Sequence, residues 1–167
     1  MVKEEKSLLP AHFPLVIRYR GNVDYIAIFH EVFAWMGEQY MTVYQKAVKD
    51  KASGPGTTDK EFEIVGVVRA DEFVKWTTTV KAKFLDAREV MHQGRKIYNG
   101  RIELIVEGTL ILDPDNAFEG DGALLNMGKI FMNFFKRDKE LLPDKVYVGR
   151  LEQLFARLKK HLGDGAI

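Results

Sequence analysis

Four histidines are the side chains of this sequence best suited to proton transfer or zinc binding. They are His12, His30, His92 and His161, and none of them lies at the spacing of a zinc motif such as HExxH. The chain has no cysteine, so thiolate ligands and disulfides are excluded. His30 lies beside the apolar face of a predicted helix, where an ordinary hydrogen bond explains it better than a role as general base does. We therefore expect no metal and no cofactor.

Acidic and amide side chains crowd the segment "DPDNAFEGDG" at 113–122. Oxygen ligands at alternate positions, with glycines between them, are typical of calcium loops. Gly120 and Gly122 do not fall where an EF-hand needs its glycine, and no glutamate closes a twelve-residue loop. We interpret the segment as a solvated turn in which Asp121 helps to cap the following helix.

The segment "ALLNMGKIFMNFFKR" at 123–137 is rich in large apolar residues and predicts a helix. Wound at 100° per residue, these side chains cover an arc of about 220°, whereas a helix resting on one sheet needs little more than about 100°. Leaving half of them in water would forgo roughly 1.5–3 kcal/mol each. The chain's own last helix is the simplest second cover. The alternatives are a second protomer, an apolar ligand in a cavity and a membrane surface.

A cavity between this helix and the sheet would be lined by aromatic and methionine side chains from three predicted elements. The candidate ligand-binding residues are Tyr25, Phe29, Trp35, Trp76, Met127, Phe131, Phe134 and Phe135. Apolar walls of this kind would hold a lipid-like or aromatic molecule. Methionine suits a deformable binding surface, although it also fills ordinary cores.

The pattern of apolar residues predicts the elements that would position these side chains. Alternation predicts strands, and apolar residues at every third or fourth position predict helices. The predicted strands are 14–21, 40–50, 61–70, 74–90 and 100–113, and the predicted helices are 22–38, 123–137 and 146–162. In the first helix Asn22 is the expected N-cap, and Asp24, Glu31 and Glu38 form a stripe that should face solvent.

Glycine, proline and small polar residues predict the connections. We expect residues 1–13 to be a flexible tail and 51–60 a mobile loop, while Gly94 and Asn99–Gly100 mark a hairpin connection. Consecutive strands joined by short loops favour an antiparallel sheet with its helices on one face. The predicted fold is a single α+β domain, 1–167, in which a curved antiparallel sheet of about five strands packs on one N-terminal helix and two C-terminal helices.

This order of elements resembles the helix-grip architecture of the START and plant-pollen-allergen type, in which a curved antiparallel sheet grips a long C-terminal helix. The resemblance runs from Leu15 to Leu162 as an order of elements. The sequence departs from that family in having five long strands rather than six or seven, and in Pro143, which divides the C-terminal helical region. The spacing of "YIAIFHEVFAWMGEQY", "KEFEIVGVVRADEFVKWTTTVKAKFLDAREV" and "NGRIELIVEGTLILD" is also similar to a family of uncharacterised archaeal proteins.

Charge is nearly balanced, with 25 basic against 24 acidic side chains and a net charge of +1 at pH 7. This balance disfavours a protein that binds nucleic acid through bulk positive charge. Six basic residues could still form a strip on the outer face of the sheet and contact RNA or a ribosome, although a solvated face explains them equally well. They are Arg18, Arg20, Lys81, Lys83, Arg95 and Lys96. The N-terminus does not resemble a signal peptide and no apolar stretch reaches the length of a membrane span, so we expect a cytoplasmic protein.

The sequence thus predicts a non-enzymatic module that binds an apolar or lipid-like ligand, or that self-associates through the 123–137 region. An apolar small molecule and a second copy of the chain are the expected partners, and nucleic acid is not. One alternative is a structural or interaction subunit of a larger assembly, which would contact RNA or a ribosome through the basic face of the sheet. Another is an enzyme of the polyketide-cyclase or aromatase kind, with Tyr25, His30 or Tyr44, chosen by their position in the predicted pocket, as acid or base.

Overall fold

One antiparallel sheet carries the fold, and helices cover one of its faces. The computed structural model describes residues 4–7, 14–69, 74–112, 126–127, 130 and 143–162. In chain order the elements are β1 (Glu4–Ser7), β2 (Leu15–Val23), α1 (Tyr25–Glu38), β3 (Thr42–Gly54), β4 (Thr57–Arg69), β5 (Val74–His92), β6 (Arg95–Leu112) and α2 (Pro143–Leu162). This architecture confirms the predicted α+β class with an antiparallel sheet.

The sheet is five strands wide because β1 and β2 share one position. Its order is β3–β4–β5–β6, and on the far side of β6 lie both β2, opposite residues 98–106, and β1, opposite residues 109–112. The described part of the sheet therefore has β3 at one edge and β1 and β2 at the other. Residues 4–7, which fall within the segment predicted to be a flexible tail, form a strand that pairs with β6.

A two-residue turn, Pro55–Gly56, joins β3 to β4, with Gly56 at φ 71°. Proline presets the first position of such a turn, and glycine accepts the positive φ of the second. β3 continues to Gly54 and β4 begins at Thr57, so residues 51–60, predicted to be a mobile loop, lie on two strands apart from the turn. The turn needs only its two central residues, and the small polar residues around it lie on strands.

A second tight turn joins β5 to β6. Gln93 and Gly94 have φ of 49° and 76°, the pair of positive values that a type I′ hairpin turn requires. Gly94 is thus in the connection as predicted, whereas Asn99–Gly100 lies inside β6. A Cβ at Gly100 would lie 2.9 Å from the carbonyl oxygen of Leu85 and 3.0 Å from Cα of Ala87. Glycine is needed there because β5 bulges towards it.

Side chains alternate between two faces of the sheet. We call the face covered by α1 and α2 the helix face and the opposite one the outer face. The buried members of β5 belong to the helix face and are Val74, Trp76, Thr78, Val80, Ala82, Phe84 and, after the bulge, Ala87. The residues between them are only partly buried, as the alternation in the sequence predicts.

The first helix begins at a different cap from the one predicted. Asp24 is the N-cap of α1, and its Oδ1 accepts a hydrogen bond from the Ala27 N–H at 3.0 Å. Asn22 remains in β2, where its Oδ1 accepts from Nδ2 of Asn99 at 2.6 Å. Both residue types cap helices well, and the pairing of β2 with β6 out to Val23 decides between them.

The last helix lies on the helix face beside α1. It begins at Pro143, at a position where the missing N–H costs no hydrogen bond. The predicted apolar stripe is confirmed, with buried residues at Tyr147, Leu151, Leu154, Leu158 and Leu162. Val148 and Phe155 are partly buried against the same core.

Charged side chains join α1 to α2. The guanidinium of Arg157 donates to both carboxylate oxygens of Glu38, at 2.9 and 2.8 Å, and this hydrogen bonding lowers the pKa of Glu38. Glu31 lies 3.4 Å from Arg157 and 3.1 Å from His161. Glu38 is exposed as predicted, whereas Glu31 is only partly exposed because α2 folds back along that side of α1.

The predicted helix 123–137 lies mostly outside the described residues. Asn126, Met127 and Ile130 are helical. Met127 is 58% exposed and Ile130 is 70% exposed. The wide apolar arc of this helix stays a prediction.

Gly100→Ala tests the close approach of β5 to β6. The new methyl group would meet backbone atoms, which cannot rotate away, so we expect the free energy of unfolding to fall by about 1–3 kcal/mol. Gly37→Ala in α1 is the control, since nothing lies within 4 Å of its added Cβ. That change should raise the free energy of unfolding by about 0.5–1 kcal/mol. Urea denaturation followed by circular dichroism measures both, and equal stability of the two variants would contradict the close approach.

Candidate functional site

A groove runs between α1 and the edge strand β3, and we call it the α1–β3 groove. It is lined by Tyr25, Ile26 and Phe29 from α1 and by Gln45 and Val48 from β3, and its volume is about 220 Å³. Ile26 is 58% exposed and Val48 is 50% exposed. Exposed aliphatic side chains next to partly buried aromatic rings form a surface that an apolar ligand could cover.

A β-bulge gives the groove its second wall. Between Gln45 and Ala47 the pairing of β3 with β4 slips, so that Lys46 is an extra residue. One extra residue reverses the face on which the following side chains lie. Val48 therefore lies opposite the buried Phe62 on the helix face, where it can contact a ligand held against α1.

Tyr25 and Phe29, which line the groove, belong to a cluster of five aromatic rings. The ring of Tyr25 lies edge-on to Phe62, Phe84 and Tyr98, at centroid distances of 5.5, 4.9 and 6.2 Å. Phe29 packs edge-on to Phe62 at 5.4 Å. Edge-to-face pairs of this kind each add about 0.5–1.5 kcal/mol beyond the burial of their area. The groove is therefore built on a rigid base contributed by α1, β4, β5 and β6.

An ion pair closes one end of this cluster. Nζ of Lys60 donates to Asp50 at 2.7 Å and lies 5.7 Å from the ring centroid of Tyr25 and 5.1 Å from that of Tyr98. Burial lowers the pKa of Lys60, but the hydrogen bond to Asp50 and the neighbouring tyrosines outweigh it, so the pKa lies above its usual value. The lysine is thus a permanent cation held between two rings.

The residues considered as acid or base do not meet at this site. Burial raises the pKa of Tyr25, and the charge of Asp50 raises it further, so the phenol is a neutral hydrogen-bond donor rather than a base. His30 is exposed on α1. Tyr44 lies opposite Val65 on the outer face and is 57% exposed. The bulge in β3 comes after Tyr44 and leaves it on the other side of the sheet.

Both tryptophans among the predicted binding residues belong to the core. Trp35 is fully buried, and Trp76 stacks on Tyr147 with ring centroids 4.6 Å apart. Their indole Nε1 atoms are buried and have no hydrogen-bond partner among the described residues. The hydroxyls of Tyr147 and Thr78 bond to each other, and burial raises the pKa of Tyr147. This pair holds α2 against the middle of β5.

The structure brings together two of the eight predicted binding residues, Tyr25 and Phe29, in the α1–β3 groove. Met127 is exposed. Phe131, Phe134 and Phe135 lie outside the described residues, so their part in a cavity stays a prediction.

Carboxylates interrupt the basic strip predicted on the outer face. The ion pairs on this face are Arg18–Glu103 at 2.8 Å and Lys81–Glu107 at 3.2 Å. Lys96 pairs with Glu89 at 2.9 Å, but it lies on the same face of β6 as Tyr98, so its predicted place on the outer face is wrong. Lys83 lies opposite a glutamate on each neighbouring strand, Glu61 and Glu103. Most of this face therefore alternates in charge, as expected for a solvated sheet surface.

Other binding chemistry is limited in the described ranges. They contain no group of three His, Asp or Glu side chains placed to hold a metal ion. The acidic segment 113–122 lies outside those ranges. No helix within them combines the length and the apolar character needed to cross a bilayer.

Comparison with known proteins adds little to this geometry. No family model matches the chain, and no curated protein matches it. A likeness exists to a solved structure, the crystal structure of the di-domain ARO/CYC BexL from the BE-7585A biosynthetic pathway. The identity is 10% and the TM-score 0.23, and the alignment covers 90% of this chain and 50% of that one, so this chain spans half of its length. At these values neither activity nor ligand carries over.

The sequence analysis did not identify several residues of the site. Lys60 was not considered because 51–60 was interpreted as a loop, which also left Asp50 at the end of its predicted strand without a partner. Tyr98 was not considered because it fell in the predicted connection before strand 100–113. Part of the signal was present in Pro55–Gly56, because a two-residue turn there puts Asp50 and Lys60 on paired strands. The exact pairing of Asp50 with Lys60 also needs the register shift between Ala52 and Gly54. Val48 gave no such signal, because the bulge that turns it towards α1 has no marker in the sequence.

The buried Tyr147–Thr78 pair can be tested by a double-mutant cycle. Tyr147→Phe leaves the Thr78 hydroxyl unpaired in the core, so we expect the free energy of unfolding to fall by about 1–3 kcal/mol. Adding Thr78→Val removes the orphaned group and should recover much of that loss. Urea denaturation of the four proteins gives the coupling energy. Strict additivity of the two changes would show that the hydroxyls do not interact.

Proposed function

We propose that this protein is a binding module that holds a single aromatic ring or a short acyl chain in the α1–β3 groove. The observation that carries the proposal is the exposure of Ile26 and Val48, at 58% and 50%, across a groove that also includes Phe29. Neighbouring apolar residues on α1 are buried in the core. A ligand that covered the exposed pair would remove from water the apolar area that folding leaves there, at about 25 cal/mol per Å².

The dimensions of the groove limit the ligand to a small one. Its volume of about 220 Å³ is below the roughly 300–1,000 Å³ of pockets that enclose drug-sized molecules. The occupant is therefore a ring or a short chain, rather than a whole lipid. Lys60 and Asp50 satisfy each other's charge at 2.7 Å, which favours a neutral ligand. The Gln45 amide at the groove can donate or accept one orienting hydrogen bond.

Binding without catalysis is the activity that these side chains support. Tyr25 is the titratable residue among those that line the groove, and its raised pKa keeps it protonated. It offers a hydrogen bond to a ligand but does not accept a proton at neutral pH.

Val48→Trp tests the proposed site by filling it. Indole and 1-hexanol are added to labelled protein, and amide chemical shifts are followed by NMR. We expect shifts to centre on Ile26, Phe29 and Val48 in the parent protein and the dissociation constant to rise at least about tenfold in Val48→Trp, because the new ring occupies the ligand volume. Tyr44→Trp on the same strand is the matched control, since it lies on the outer face. Equal binding by both variants, or shifts elsewhere only, would contradict the proposal.

Self-association is a second candidate function, supported by the exposed apolar side chains near residue 130. Met127 and Ile130 are helical, three residues apart and 58% and 70% exposed. Side chains at that spacing lie on one face of a helix. A second copy of the chain meeting the same face would form the symmetric contact that most homodimers use.

Met127→Ser combined with Ile130→Ser tests self-association. Light scattering after size exclusion should show a dimer for the parent chain and a monomer for the double variant, because the shared apolar contact is lost. Met91→Ser is the control for removing an exposed methionine, since Met91 is 66% exposed on β5. A parent chain that stays monomeric at high concentration would contradict this candidate and leave the groove proposal unaffected.

A further inference from the structure

Three arginines surround a second groove, on the outer face of the sheet. Arg18 and Arg20 come from β2 and Arg101 from β6, and the groove has a volume of about 500 Å³. Arg20 lies directly opposite Arg101 in the register of the two strands. Leu85 of β5 lies opposite Arg101 on the other side and is 40% exposed.

The positive charge in this groove is only partly neutralised. Nε of Arg18 donates to Glu103 at 2.8 Å, and Nη2 of Arg101 donates to Asp86 at 2.5 Å. Three guanidinium groups against two carboxylates leave one positive charge, and Arg20 has no partner among the described residues. Like charges directly opposite on neighbouring strands are destabilising, so the Arg20–Arg101 pair costs free energy unless an anion lies between them.

Most of the hydrogen-bonding capacity of these arginines is unused by the described residues. A guanidinium has five N–H donors in a planar fork, and each of the two ion pairs engages a single nitrogen. The fork geometry matches the oxygens of phosphate, to which arginine binds in a bidentate manner. The side chains of Arg18 and Arg101 are 76% and 59% exposed, so a ligand can reach them from solvent.

We propose that the groove between Arg18, Arg20 and Arg101 binds a single phosphate group carried by a small molecule. Arg20 and Arg101 hold the phosphate between them, and Leu85 contacts the apolar part of the ligand. The flanking carboxylates of Glu103 and Asp86 favour one compact anion over an extended polyanion, whose neighbouring phosphates they would repel. The site is on the opposite face of the sheet from the α1–β3 groove and does not depend on the function proposed for that groove.

Binding of inorganic phosphate and of phenyl phosphate tests the site. The arginine side-chain Nε–Hε signals are followed by NMR at moderate salt in the parent chain and in Arg20→Gln, Arg101→Gln and Arg95→Gln. Arg95 is exposed at the β5–β6 hairpin and lies away from the groove, so its variant is matched in charge. We expect the dissociation constant to rise at least about fivefold in the first two variants and less than about twofold in the third. Arg20→Lys should fall between the parent chain and Arg20→Gln, because it keeps the charge and loses the fork.

The outcomes separate the proposal from its competitors. Tighter binding of phenyl phosphate than of inorganic phosphate, with the advantage reduced in Leu85→Ser, supports the apolar contact. Equal weakening in all three glutamine variants would mean diffuse attraction by net charge and would overturn the site. An RNA oligonucleotide that binds through Arg20 and is not displaced by either phosphate would overturn the small-molecule ligand in favour of a nucleic-acid surface. Failure of both probes to shift the arginine signals would also overturn it, whatever indole and hexanol do at the other groove.

Discussion

The docking of α2 on the centre of the sheet is the constraint on which the rest of this structure depends. Tyr147 supplies it by stacking on Trp76 and bonding to the hydroxyl of Thr78, both on β5. A buried polar pair must stay together, because either hydroxyl alone in the core would be an unsatisfied group. With α2 fixed in this way, Arg157 lies beside Glu38 and ties α1 to the same face. Within the described residues, the two helices thereby cover the apolar face of the sheet.

This cover ends at the β3 edge of the sheet, and the candidate site lies where it ends. Around α1, burial decreases from Trp35, which is in the core, through Phe29 to the exposed Ile26. Ile26 lies across the groove from the edge strand β3. The bulge in β3 places Val48 on the helix face, opposite Ile26. The α1–β3 groove is therefore a consequence of the boundary of the core, and its apolar character comes from side chains that belong to the core pattern but lack a cover.

On the outer face of the sheet, most charged side chains lie next to a side chain of opposite charge. Alternating lysine and glutamate across β4, β5 and β6 neutralise the outer face, as between Lys83 and its neighbours Glu61 and Glu103. The exception lies beside the bulge of β5, where Asp86 has a φ of 54°. There the residue of β5 opposite Arg101 is Leu85, which carries no charge. Both candidate grooves thus lie next to bulges, which interrupt the regular alternation that otherwise leaves each side chain with a partner.

Local pattern was enough to predict the α+β class, the existence of β2 to β6, the faces of β5 and the buried stripe of α2, because periods of two and 3.6 residues follow from backbone geometry alone. It also put Tyr25 and Phe29 in one predicted pocket, and both line the α1–β3 groove. Tertiary structure decided which of two good caps, Asn22 or Asp24, begins α1, since that depends on how far β2 pairs with β6. It also decided the position of Val48 and the pairing of Arg20 with Arg101, because a bulge and a strand register depend on contacts between residues distant in sequence, and no local periodicity records those contacts.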